Sequence, residues 1–220
     1  MLNVKNVIQA INKALEPFLI KGEGGYFSLS QHKSSNVFRL KLAEDCSDAY
    51  DDYGNDGNSV KVVKWFSDYW LFVEIKFHHP KGVLITLSVF QGDETDSSKN
   101  QLFRAEWDDY EDGSMNHPQP HWHFLSNKSI DNTVSSFAEI ASDEIKDTFE
   151  ENLNEKKNKN IDLNKFHFAM NGDWNNTNIH IHSINNGNSL AQWFGGLLAY
   201  LKTELNYIDV KRVKKNIQIL

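Results

Sequence analysis

Residues 69–90 constrain this chain more than any other stretch. Two runs, YWLFVEIKF and VLITLSVF, are dense in aromatic and β-branched side chains, and between them stands His78-His79-Pro80-Lys81-Gly82. Each run has strand length and is far too short to cross a bilayer as a helix. Within the tetrad His79–Gly82, proline stands second and glycine fourth, the chemistry of a type I turn. The spacing therefore predicts a β-hairpin. The flanking segments extend it to an antiparallel meander over residues 60–110, with the polar loop GDETDSSKN leading into the strand QLFRAEWDDY.

On either side the periodicity changes. Val4, Val7, Ile8, Ile11, Leu15, Phe18 and Leu19 recur at steps of three and four, which predicts an amphipathic helix over about residues 3–20, with Pro17 disturbing its last turn. Short strands are expected near 26–31 and 36–43. Residues 44–58 hold six acids and no base and are expected to form a solvated loop; their DDYGNDG lacks the bidentate Glu of an EF-hand. A polar helix is predicted for 131–157, and strands for KFHFAM and NIHIHSI. A final amphipathic helix is expected over about 189–208, opened by a capping-box pattern at Ser189–Gln192 and burying Trp193, Phe194, Leu197, Leu198, Leu201, Leu205 and Ile208. Gly195 and Gly196 inside it call for a close packing partner. The sum is one α+β domain over residues 1–220: an antiparallel meander flanked by N-terminal and C-terminal helices.

Composition narrows the function classes. A single cysteine, Cys46, excludes an internal disulfide and cysteine-based zinc fingers. No h-region or membrane span interrupts the polar pattern, so a cytoplasmic protein with no membrane partner is expected. The formal net charge of −7 argues against a general nucleic-acid coat but leaves local contacts open. Walker, HExxH and GxSxG motifs are missing from the sequence.

Chemistry is concentrated in residues 104–123. On a strand, Arg104, Glu106 and Asp108 share one face while Phe103, Ala105 and Trp107 share the other. Three successive charges face either solvent or a polar cleft. Downstream, His117-Pro-Gln-Pro-His121-Trp-His123 is held extended by its prolines, and His121 and His123 fall on one side of the chain. Two imidazoles so placed can bind a divalent metal such as zinc or manganese, with carboxylates from the neighbouring strand completing the shell. His180 and His182 repeat the spacing, with His167 on the preceding strand. Without metal, one histidine as general base and another as acid, with Arg104 holding a phosphate, describes a metal-independent nuclease. As a third possibility the histidines simply hold the turn together.

The run Phe103-Arg104-Ala-Glu106-Trp107-Asp108, followed by His117-Pro118 and His121-Trp-His123, resembles uncharacterised bacterial families that carry an Arg-x-acid strand and then HPxxHxH. These occur in phage-defence loci, some beside helicases, and in toxin–antitoxin loci. The resemblance covers about residues 101–124 and, loosely, the last helix. It implies a defence or toxin protein acting on RNA or DNA. Two functions follow: a phosphodiester hydrolase built on Arg104, Glu106, Asp108, His117, His121, His123, His180 and His182, or a non-catalytic subunit that docks a partner effector such as a helicase, encoded nearby. The acidic segments at 44–58 and 93–112 weigh towards the second.

Overall fold

The two apolar runs pair along their whole length. In the computed structural model, structure is described for residues 3–19, 26–29, 36–41, 46–51, 58–78, 82–97, 99–108, 120–124, 184 and 186–217. Strand β5 (Tyr69–His78) and strand β6 (Gly82–Gln91) are antiparallel, in register from Tyr69↔Gln91 to His78↔Gly82. Gly82, the first residue of β6, has φ 143°, a conformation open to glycine and closed to most other residues. Before them run β1 (Phe27–Leu29), β2 (Val37–Leu40), β3 (Cys46–Asp51) and β4 (Asn58–Phe66); after them come β7 (Asn100–Asp108) and β8 (His121–Phe124).

All pairings are antiparallel, in the order β1-β2-β5-β6-β7-β8. One edge of β5 serves two partners. Its first residues pair with β4, and Glu74, Ile75 and Lys76 pair with β2. An irregularity at Lys64–Phe66 turns β4 away from the sheet, where it pairs with β3. Such a bulge bends a strand, and here it carries the β3–β4 hairpin over one sheet face.

The opposite face holds the main core. Odd-numbered side chains Leu71, Val73 and Ile75, Ile85 and Leu87, Phe103 and Ala105 are fully or almost fully buried there. Two helices cover them. Helix α1 (Val4–Leu15) starts at the N-cap Asn3 and buries Val7, Ile11, Ala14 and Leu15. Helix α2 (Gly187–Ile217) contributes Leu190, Trp193, Phe194, Leu197, Leu198, Leu201 and Leu205. Trp193 meets Trp107 edge-on at 5.2 Å between ring centres. The protein is thus an α+β structure, with an antiparallel sheet flanked by N-terminal and C-terminal helices. Among the described residues no helix is long and apolar enough to cross a membrane.

The partner required by Gly195 is α1. A Cβ added there lies 3.7 Å from Ala14 Cβ. Helix α2 begins two residues before the expected capping box, because Asn186 Oδ1 accepts from the Ser189 N–H at 2.9 Å and so caps the first turn. A larger difference concerns the acidic stretch. Residues 46–51 form a strand, not a solvated loop: Ala49 packs with Val60, Val62, Trp70, Phe72 and Phe90 in a second small core, and Asp51 is buried. The expected helix at 131–157 and the strand KFHFAM lie outside the described residues, as does all of NIHIHSI except Ile184.

Candidate metal centre

Sheet register assembles the site. Across β7 and β8, Glu106 stands opposite His121 and Arg104 opposite His123. Strand alternation sends Trp122 the other way, onto Phe103 at 6.1 Å between ring centres, so both histidines point to the face away from the helices. Three donor atoms converge there. His121 Nε2 and His123 Nε2 are 2.8 Å apart, and Glu106 Oε2 lies 3.1 Å from the second and 3.4 Å from the first. A circle through three atoms so spaced has a radius of about 1.8 Å, so a cation about 1 Å above their plane reaches each at about 2.1 Å, the ligand distance of zinc. Two nitrogens and one carboxylate oxygen suit zinc or manganese and leave coordination positions open.

The second oxygen of Glu106 is fixed from behind. Arg104 Nε donates to Oε1 at 2.8 Å, its Nη2 donates to the same atom, and Thr86 Oγ1 adds a third bond at 3.2 Å. Arg104 is itself buried and held by Asp51 Oδ2 at 3.3 Å. Asp51 Oδ1 in turn accepts from Gln101 Nε2 at 3.0 Å. Gln101 reaches this face despite its odd number because one extra residue, Leu102, interrupts the pairing between Gln101 and Phe103. The guanidinium is therefore occupied by two carboxylates and orients the ligand, in place of the phosphate-holding role expected of it. Outer partners of this kind fix a ligand's direction and basicity.

Electrostatics match metal binding. Burial opposes ionisation of Glu106, but the bond from His121 and the nearby Arg104 and His123 outweigh it and hold the carboxyl down at about 2. Burial also lowers the His123 pKa, against the pull of Glu106, so that ring is neutral near pH 7. A charged carboxylate and a neutral imidazole are the protonation states a metal requires.

The three donors open onto a cleft of about 480 Å³, whose walls include Arg39, Asp51, Asn58, Phe72, Glu74, Lys76, Leu84 and Asp108. The chain matches no family model, no curated protein and no solved structure. Its chemistry is therefore read from this geometry. Of the residues expected at the site, the fold brings together Arg104, Glu106, His121 and His123. Asp108 lines the cleft one step further along β7, outside the trio. His117, His167, His180 and His182 lie outside the described residues.

Sequence reasoning missed Asp51, Gln101, Arg39 and Glu74. For Glu74 a signal existed: a lone carboxylate inside YWLFVEIKF must find partners once buried. It has them in Arg39 Nε at 2.6 Å and Lys76 Nζ at 2.7 Å. Asp51 gave no such warning, because its partner lies 53 residues away in the chain.

Proposed function

We propose that this protein is a metal-dependent hydrolase of phosphodiesters, with the cation held by Glu106, His121 and His123. The observation that carries the proposal is the convergence of two Nε2 atoms and one Oε2 atom within 3.4 Å of one another, at the wall of a ligand-sized cleft. A dication held there by Glu106, His121 and His123 would supply a water ionised near neutral pH and would neutralise charge on the phosphoryl oxygens. In the reaction a bond from a water oxygen to phosphorus would form as the bond to the leaving alcohol breaks, and the proton given up by the water would balance the one taken up by the alcohol oxygen. Arg104 keeps Glu106 pointed at the cation, and Asp51 keeps Arg104 in place.

Charge in the cleft supports an anionic substrate only once metal is present. Arg39, Lys76 and Arg104 face Asp51, Glu74, Glu106 and Asp108, three cations against four carboxylates. A divalent ion reverses the sign of that balance, so substrate affinity follows metal occupancy. The resemblance of residues 101–124 to families of phage-defence and toxin–antitoxin loci supports a nucleic-acid phosphodiester in a bacterial cytoplasm, next to a protein partner encoded nearby. Sequencing the flanking genes tests that part.

The activity test is direct. Purified protein is analysed for bound metal and assayed on bis(p-nitrophenyl) phosphate with zinc, with manganese and with EDTA. Metal-dependent turnover that disappears in the His121→Ala/His123→Ala variant is expected. Turnover unaffected by EDTA points instead to metal-free acid–base chemistry, and no turnover with either metal removes the hydrolase proposal.

A further inference from the structure

The strand register that builds the metal centre also builds a second charged station. Arg39, Glu74, Thr86, Glu106 and His121 are successive cross-strand partners over β2, β5, β6, β7 and β8, one row on the cleft face. At its far end Arg39 and Lys76 share a single carboxylate, Glu74, bonded at 2.6 and 2.7 Å. Two cations on one carboxylate leave a net positive charge. The side chain of Glu74 is only 6% exposed, whereas those of Arg39 and Lys76 are 36% and 27% exposed. Glu74 thus serves as a buried anchor, and the cations keep donors turned towards the cleft, whose walls both of them form. Arg39 is further steadied over the Phe72 ring at 5.8 Å.

Glu74 and Glu106 stand two strands apart, a separation of about 10 Å at the usual interstrand spacing. We propose that Arg39 and Lys76 form a second phosphate subsite, so that the substrate is a phosphodiester carrying a further phosphate at least about 10 Å from the metal-bound group, because Arg39 on β2 and the histidines on β8 stand outside the Glu74–Glu106 pair. Adjacent phosphates of a strand lie closer than that, so the terminal phosphate of a 5′-phosphorylated trinucleotide, two backbone steps from the second diester, has this reach, and so does the phosphorylated end of an oligonucleotide strand. The inference rests on the hydrolase proposal for the identity of the group at the metal. The subsite itself is read by binding, which needs no turnover.

The experiment is calorimetric titration of the full chain with the trinucleotide pTpTpT and with TpTpT, which lacks the terminal phosphate. Titrations are made in EDTA and again with zinc. Wild-type protein is expected to prefer pTpTpT by about tenfold, the low end for a charge-assisted contact at a half-exposed site. Arg39→Gln and Lys76→Gln each remove most of that preference. Both side chains are partly exposed, so the variants keep the fold, and matching melting temperatures check this. A ten-residue 5′-phosphorylated oligonucleotide is titrated in parallel; tighter binding than pTpTpT assigns the subsite to a nucleic-acid end, equal binding to short oligonucleotides. Equal wild-type affinity for pTpTpT and TpTpT overturns the subsite, as does a preference that survives both substitutions or no binding of either ligand with zinc present. A preference lost in the variants, with no turnover under any metal, leaves the subsite standing and removes the hydrolase.

Discussion

Replacing Glu106 by Gln in metal-free protein tests the electrostatic frame of the site. Glutamine keeps the shape of the side chain and removes its titration. In the folded protein the Glu106 carboxyl ionises at about 2 against an ordinary value of 4.5. At about 1.4 kcal/mol per tenfold step, that difference is worth about 3 kcal/mol of folding stability. The folded pKa lies below the unfolded one, so the unfolded chain takes up the proton first as pH falls. The contribution is complete above the unfolded value and is lost as pH drops through the folded one. Wild type is therefore expected to exceed Glu106→Gln by about 3 kcal/mol at pH 5 to 7, and by about half that at pH 3. Urea denaturation in EDTA, followed through tryptophan fluorescence, measures both proteins at each pH. A gap that stays constant with pH, or is missing at pH 7, refutes the claim that His121 and Arg104 hold this carboxylate ionised.

Other outcomes follow from neighbouring contacts. Excess zinc at about a hundred times its dissociation constant should stabilise wild type by about 2.7 kcal/mol and leave His121→Ala/His123→Ala unmoved, as read by melting temperature. Arg104→Ala should cost about 3–5 kcal/mol in denaturant unfolding, because it leaves Asp51 and Glu106 buried without their shared cation; Asp51→Asn in the same chain should recover part of that loss. Gly195→Ala should stabilise the protein by about 1 kcal/mol in urea unfolding, since the added methyl meets Ala14 at 3.7 Å, an ordinary contact, and glycine is the poorer helix former.

Some features were legible because the information is local. Alternation in YWLFVEIKF and VLITLSVF is a property of neighbouring residues, and so is the three-and-four spacing that buries Val7, Ile11 and Leu15 of α1. His121 and His123 share a face for the same reason, as do Arg104 and Glu106. What the pattern left open was whether the charged face meets solvent or a cleft. That was decided by β3 and β4, which fold over it and bring Asp51 to Arg104.

The sequence by itself determined the central strands of the meander, the two covering helices and the faces that Arg104 shares with Glu106 and His121 with His123, because a period of two or of 3.6 needs only a few adjacent residues to be read. The acidic run at 46–51 defeated that approach. Its buried Ala49 and Asp51, either side of the exposed Tyr50, resemble part of a polar loop until Val60, Val62 and Trp70 are there to cover Ala49. Tertiary structure alone decided that Glu106 faces His121, that Asp51 holds Arg104, and that Arg39 and Lys76 stand in line with the metal centre. Each of those depends on register between strands distant in the chain, and register is fixed by the packing of the whole sheet rather than by any one strand.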